Sequence, residues 1–195
     1  MLESIIHSVG HHVVAFISHL GYPAIIICML IESACIPLPS EIIMPFSGYL
    51  VSVGRFTLWG ATAAGVLGNL LGSVLIYLLS INKGYALIHK MSPHHAEKAE
   101  RFYERYGSWS VLIGRMLPVV RTFISLPAGV MRVPFLPFCF WTIVGSIPWC
   151  FGLTYLGFIL GKNWTILQPI FHHIDIPLVC LLIAGIGLWY WKNKD

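Results

Sequence analysis

Charge is what this sequence has least of. Asp, Glu, Lys and Arg together make up 10% of its 195 residues, against about a quarter in ordinary soluble domains. Hydrophobic residues fill 57%, and the mean hydropathy is +0.79. That balance excludes most soluble folds and leaves room for one domain of several spans, with no separate soluble domain beside it. The charge-free stretches locate the spans. None of these four residue types occurs between Glu3 and Glu32, from Phe56 to Asn82, from Val133 to Gly161, or from Ile176 to Trp191. Crossing ~30 Å of hydrocarbon takes about 20 apolar residues at ~1.5 Å each. The first three stretches qualify easily. The fourth qualifies if it begins near Pro169 and keeps Asp175 at an interface.

Other absences exclude other classes. A cleavable signal peptide needs a basic start and a small-residue cleavage site. This chain instead opens with Glu3 and with His7, His11, His12 and His19, which predicts a short interfacial helix leading into the first span. Cysteine is sparse: Cys28, Cys35, Cys139, Cys150 and Cys180 are odd in number, form no C-x-x-C and sit in apolar runs. They read as fillers facing lipid or core. His7 and His11 are four apart, and His94-His95 and His172-His173 are adjacent pairs, but no carboxylate or cysteine pattern accompanies them. They read as interfacial polar residues, so neither a metal nor a cofactor is expected.

Two regions interrupt the hydrophobic pattern, and they do so alike. Glu32 to Tyr49 reads ESACIPLPSEIIMPFSGY, and Gly114 to Met131 reads GRMLPVVRTFISLPAGVM. Each is apolar yet carries prolines, a glycine and two charges. Proline removes a backbone donor and clashes with the preceding turn, so neither region is a plain spanning helix. Broken backbone survives at membrane depth only when buried in protein or lining a cavity. One such segment in each half is the signature of re-entrant hairpins in a repeat-built transporter. The expected fold is therefore all-α and polytopic, an inverted repeat with two re-entrant helical hairpins.

The basic residues give the orientation. The polar segment Asn82 to Ser108 holds Lys83, Lys90, Lys98, Arg101 and Arg105, and the chain ends with Lys192 and Lys194. Lys and Arg favour the cytoplasmic side, so both termini are predicted inside. The Glu-bearing hairpin then enters from outside and the Arg-bearing hairpin from the cytoplasm. Ser92–Tyr106 reads as a cytoplasmic amphipathic helix, with Ser92 as N-cap before Pro93. Along Thr57–Ile81, Ala61, Gly65, Gly68 and Gly72 line one face, as does the pair Gly157 and Gly161 further on. Such stripes let helices approach closely in lipid. Asn69 on the same helix is placed to hydrogen-bond across the bundle.

Glu32, Glu41, Arg115 and Arg121 are the charges that matter most. Taken singly, Glu32 and Arg115 could flank spans at the interface. Arg121 is harder to dismiss, with Met116–Val120 before it and Thr122–Leu126 after it. A charge at the bilayer centre costs on the order of 2.5–3.5 kcal/mol on insertion scales, and such residues pair and mark pathways.

The run E-S-A-C-I-P-L-P-S-E from Glu32 to Glu41, with G-R-M-L-P-V-V-R-T from Gly114 to Thr122 and Pro127-Ala128-Gly129, resembles the DedA family of bacterial membrane proteins. The resemblance extends over nearly the whole chain. It implies a single DedA-type membrane domain over 1–195, with re-entrant hairpins near 32–53 and 109–131, a cytoplasmic segment at 82–108, and a bacterial plasma (inner) membrane location. It also implies lipid translocation. Members return undecaprenyl phosphate from the outer to the inner leaflet, and others are linked to phospholipid movement or proton-dependent homeostasis. The P-L-P-S-E form looks most like the undecaprenyl-phosphate branch. By motif match, Arg115 and Arg121 fall on basic positions that would bind substrate phosphate. Glu32 and Glu41 fall on acidic positions that would balance charge or take up protons. Pro37, Pro39, Ser40, Pro45, Gly48, Pro118, Pro127 and Gly129 would shape the hairpins.

Physical chemistry agrees with that implication. A polyprenyl phosphate has one compact anionic head and a tail that can stay in lipid, and guanidinium grips phosphate through a planar fork. The four charges sum to zero when ionised, so an entering phosphate leaves a net negative site that one protonated carboxylate would offset. Three other readings stay open. A phospholipid scramblase or transporter would use the same hairpins. A membrane polyprenyl-pyrophosphate phosphatase needs a nucleophile or base near the arginines; no histidine lies between Ala96 and Phe171, which leaves Ser40 and Ser125. An exporter of small cations would bind its substrate at the glutamates, and the arginines fit that poorly. The expected partners are a polyprenyl-phosphate or phospholipid substrate, membrane lipids and protons, with no nucleic acid. The expected protein is a transporter, not an enzyme.

Overall fold

The computed structural model describes residues 13–34, 36, 38–91, 107–117 and 120–161, with only the helical backbone over 82–91. Among them there is no strand. The helices are α1 (residues 13–20), α2 (Tyr22–Ser33), α3 (Ser40–Ser52), α4 (Leu58–Met91), α5 (Trp109–Met116), α6 (Val120–Phe123), α7 (Ser125–Val130) and α8 (Phe135–Leu160). Within α4 and α8, Leu58–Ile81 and Phe135–Leu160 are long and apolar enough to cross a membrane, at 24 and 26 residues. At ~1.5 Å per residue both exceed the ~30 Å hydrocarbon core.

Local chemistry explains most of the boundaries. The first charge-free stretch, expected as one span, is divided at Gly21, whose φ of 71° ends α1, while Pro23 fits the opening turn of α2. Pro127 likewise falls in the first turn of α7, where its missing N–H has no intrahelical partner to lose. Pro45 and Pro148 lie inside α3 and α8, which continue through them. α3 and α7 end in the same motif. At α3, Gly54 N–H donates to the Val51 carbonyl at 3.0 Å and Arg55 N–H to Leu50 at 2.9 Å. At α7, Arg132 N–H donates to Gly129 and Val133 N–H to Ala128, both at 3.1 Å. The motif requires a left-handed residue, supplied by Gly54 at φ 77° and Arg132 at φ 50°. α4 runs to Met91, past the expected span end at Ile81 and into the segment assigned to the cytoplasm. The apolar run stops there, but neither Asn82 nor Lys83 obliges a helix to stop.

Glycine contacts set the packing. α2 lies on α4 where a Cβ on Gly68 would stand 2.5 Å from the Ile26 carbonyl oxygen and one on Gly72 2.3 Å from that of Leu30. α3 lies on α8 through a reciprocal pair: a Cβ on Gly48 would meet the Thr154 oxygen at 2.0 Å, and one on Gly157 the Pro45 oxygen at 2.0 Å. α7 meets α4 where a Cβ on Gly129 would stand 2.4 Å from the Tyr77 oxygen. α5 meets α8 where Gly145 leaves room for the Arg115 stem, 2.8 Å from the missing Cβ. Of the predicted small stripe, Gly65 faces the Met44 thioether, while Gly68 and Gly72 face α2.

The first helical unit (α2–α3) and the second (α5–α7) are thus both wedged between the two long helices, with arms exchanged. The first arm of the first unit packs on α4 and its second arm on α8. In the second unit, the first arm packs on α8 and the last on α4. Two apolar cores result, one around Ile25, Met29, Met44 and Leu50, the other around Val111, Ile124, Ala128 and Phe138. Outward faces carry exposed Trp59, Leu71, Leu75, Leu79, Phe140 and Ile159, an apolar exterior suited to lipid. Pro37, Pro118, Cys35, Cys180, the Ser92–Tyr106 helix, the N-terminal interfacial helix before residue 13, the last span and every paired histidine lie outside the described residues.

Candidate functional site

Arg121 is on the short helix α6, which begins at Val120 after α5 has ended at Met116, and it is buried. Its Nη2 donates to Glu32 Oε1 at 2.7 Å and to Ser40 Oγ, and lies 3.8 Å from Glu41 Oε1. Glu32 closes α2, while Ser40 and Glu41 open α3 behind Pro39. The end of α2, the start of α3 and the short helix α6 therefore meet around one guanidinium. Glu41, in the first turn of α3, also sits at the positive end of that helix's dipole. The Arg121 guanidinium carbon Cζ lies over the Trp149 ring, 4.4 Å from its centroid. Trp149 Nε1–H points at Ser40 Oγ across a long 3.5 Å.

Arg115 forms a second polar cluster. It ends α5, where a cation suits the negative end of the helix dipole. Its Nη2 donates to Ser73 Oγ on α4 and, at 3.3 Å, to Ser125 Oγ at the start of α7; Nη1 reaches Asn69 Oδ1 at 3.4 Å. Asn69 is a hub. Its Oδ1 also accepts from Ser33 Oγ on α2, and its Nδ2 donates to Cys150 Sγ on α8 at 3.7 Å. One buried amide thus ties α2, α4, α5 and α8 together, across the bundle as expected.

Buried polar groups are ordinarily paired, yet Glu32 Oε2 and Arg121 Nε are buried with no hydrogen-bond partner among the described residues. An acceptor and a donor are therefore available beside the ion pair. Removing one partner of a buried pair costs roughly 3–5 kcal/mol, because the other charge is left uncompensated. An arriving anion would supply that compensation. Among the described residues, no three His, Cys, Asp or Glu side chains are grouped to hold a metal ion.

Glu32, Glu41, Arg121 and Ser40 come together, and Arg115 stands behind them across Asn69 and Ser33. Pro39 caps α3. Pro45, Gly48 and Gly129 lie inside helices at the packing contacts described above, and Pro127 starts α7. Sequence reasoning missed Trp149, Ser73 and Ser33. Ser73 was accessible as the residue four beyond Asn69, on the same helical face. Trp149 carries a weaker signal, an aromatic beside Pro148 in mid-span.

The VTT domain family matches residues 38–159 of this chain. A Bacillus subtilis protein named undecaprenyl phosphate transporter A is 33% identical over 188 residues, covering 93% of this chain and 93% of the relative. A Staphylococcus aureus protein of the same name is 31% identical over 182 residues, covering 88% of this chain and 90% of the relative. A Lactococcus lactis protein named alkaline phosphatase-like protein is 27% identical, covering 93% of this chain and 91% of the relative. No solved structure matches the chain significantly.

Proposed function

Because the chain belongs to the VTT-domain (DedA) family of membrane proteins, we propose that it transports a lipid-linked phosphate, undecaprenyl phosphate, from the outer to the inner leaflet of the bacterial plasma membrane. The observation that carries this reading is the buried Arg121, held between the two helical units by Glu32 and Ser40 with Glu41 at 3.8 Å. A phosphate monoester is a compact anion with several acceptor oxygens, and guanidinium matches it edge-on. The orphaned Arg121 Nε gives such an anion an edge to bind. Arg115, set back among Ser73, Ser125 and Asn69, adds positive potential and a second ligand. The names carried by two relatives, undecaprenyl phosphate transporter A, support the same cargo.

In this reading the two units are re-entrant hairpins entering from opposite faces, within one membrane domain whose termini are cytoplasmic. The exchanged packing supports an inverted repeat: a two-fold that swaps the units and swaps α4 with α8 turns the α2–α4 contact into α5–α8 and the α3–α8 contact into α7–α4. The shared helix ending at α3 and α7 obeys the same exchange. Proton coupling follows from charge. Two carboxylates and two guanidiniums sum to zero, the phosphate brings negative charge, and protonation of Glu32 or Glu41 offsets it. Acid on the loading side therefore favours uptake.

The name of the Lactococcus relative raises hydrolysis as a second reading. Ser40 and Ser125 are its nucleophile candidates, but these hydroxyls meet Arg121, Trp149 and Arg115, with no histidine or carboxylate activating either one among the described residues. The test is uptake into liposomes holding the purified protein. A short-chain polyprenyl phosphate should move, while the uncharged polyprenol and a zwitterionic phospholipid should not. Equal movement of all three would indicate a nonselective scramblase, and release of inorganic phosphate from a polyprenyl pyrophosphate would indicate the enzyme.

A further inference from the structure

The partners of Arg121 are of two kinds. Glu32 Oε1, Ser40 Oγ and Glu41 Oε1 lie at the Nη2 edge of the guanidinium. Trp149 presents its ring face to the cation, with Cζ 4.4 Å from the ring centroid. An anion that binds Arg121 competes for the edge, because that is where the N–H donors point. Trp149 accepts none of the Nη2 hydrogen bonds, which go to Glu32 and Ser40. Loading therefore displaces the carboxylate and leaves the indole where it was.

Trp149 is also carried differently from the other partners. Glu32, Ser40 and Glu41 belong to the first helical unit, whereas Trp149 belongs to α8, a membrane-length helix. Its neighbours Cys150 and Ser146 are buried, and Ser146 bonds back to the Thr142 carbonyl at 2.7 Å. The indole N–H points at Ser40 Oγ, the same oxygen that takes the Arg121 donor, across a long 3.5 Å. Indole is the best aromatic partner for a cation, and the attraction strengthens away from water.

From this geometry we infer that Trp149 is a positioning residue, the wall that holds the Arg121 guanidinium in place while Glu32 gives way to a phosphate-bearing lipid. The inference rests on the proposed reading that Arg121 receives the phosphate. It assigns Trp149 no contact with the lipid head.

The test keeps the shape of the side chain and changes chiefly the electron density of its face. Tryptophans bearing one to four fluorines, introduced at position 149 alone, weaken the ring's attraction for a cation stepwise and leave its size nearly unchanged. Binding and uptake of a short-chain polyprenyl phosphate are measured on the full chain, beside Trp149→Leu and Arg121→Gln. The dissociation constant and KM should rise progressively with fluorination, reaching roughly tenfold for the fully fluorinated ring or for leucine. The maximal rate and the unfolding temperature of the fluorinated proteins should stay near native. A flat response to fluorination, with Arg121→Gln abolishing binding, would overturn the role of Trp149 and leave the phosphate reading intact. Native binding by Arg121→Gln would overturn that reading itself.

Discussion

At the scale of single residues, the site is a competition for Arg121. Glu32 holds one Nη at 2.7 Å, Glu41 waits at 3.8 Å, and Glu32 Oε2 and Arg121 Nε have no hydrogen-bond partner among the described residues. If one carboxylate takes up the coupling proton, Glu32→Gln or Glu41→Gln should flatten the pH dependence of transport while the protein still folds. Native protein should load faster as the outer pH falls. pH profiles of liposome uptake check this, and unchanged profiles in both variants would exclude these residues as the coupling site. The four charges were legible in the sequence because charge is so scarce there: in a chain that is 10% charged, Arg121 among apolar neighbours needs a reason. Trp149 was not. The chain has seven tryptophans, all plausible as lipid-facing rings, and only the fold shows which one lies beneath a guanidinium.

Helices pack here by glycine, and each glycine's environment predicts its own substitution. A methyl group at Gly48 would stand 2.0 Å from the Thr154 carbonyl oxygen, a backbone atom that can yield only if α3 moves off α8. Gly48→Ala should destabilise the protein by about 1–3 kcal/mol, the usual cost of overpacking. Gly152, exposed on α8 where an added Cβ would meet nothing within 4 Å among the described residues, should do the opposite. Gly152→Ala should gain about 0.5–1 kcal/mol from helix propensity alone. Thermal unfolding in detergent gives both signs, and a loss at Gly152 or no loss at Gly48 would contradict the packing. The sequence located the two broken regions by their prolines, but it did not distinguish prolines that break a helix from those a helix absorbs. Pro39 and Pro127 stand at helix starts, whereas Pro45 and Pro148 are carried inside helices. Tertiary contacts decide between these, and they are invisible to local pattern.

For the whole molecule, the exchanged arms bring two sequence-distant units to one point between α4 and α8. Residues 89 positions apart, Glu32 and Arg121, form its ion pair. That meeting follows from the topology, which periodicity and composition do not encode. The proposed orientation has its own check. Single cysteines near Arg55 and Lys162, on a cysteine-free background, should react with an impermeant thiol reagent from outside, and ones near Lys98 and Lys194 should not. Reversed labelling would invert the direction assigned to both hairpins. The central claim is that Arg121 recognises phosphate and does more than neutralise a glutamate, and Arg121→Lys tests it most directly. Lysine keeps the charge but loses the planar fork. Uptake of a short-chain polyprenyl phosphate is measured in liposomes holding equal amounts of folded native and variant protein. The phosphate-clamp account predicts that uptake falls at least tenfold in Arg121→Lys (about 1.4 kcal/mol or more), with thermal stability near native. Uptake at the native rate would show that Coulomb attraction to Glu32 is all that position 121 requires, and would contradict the account.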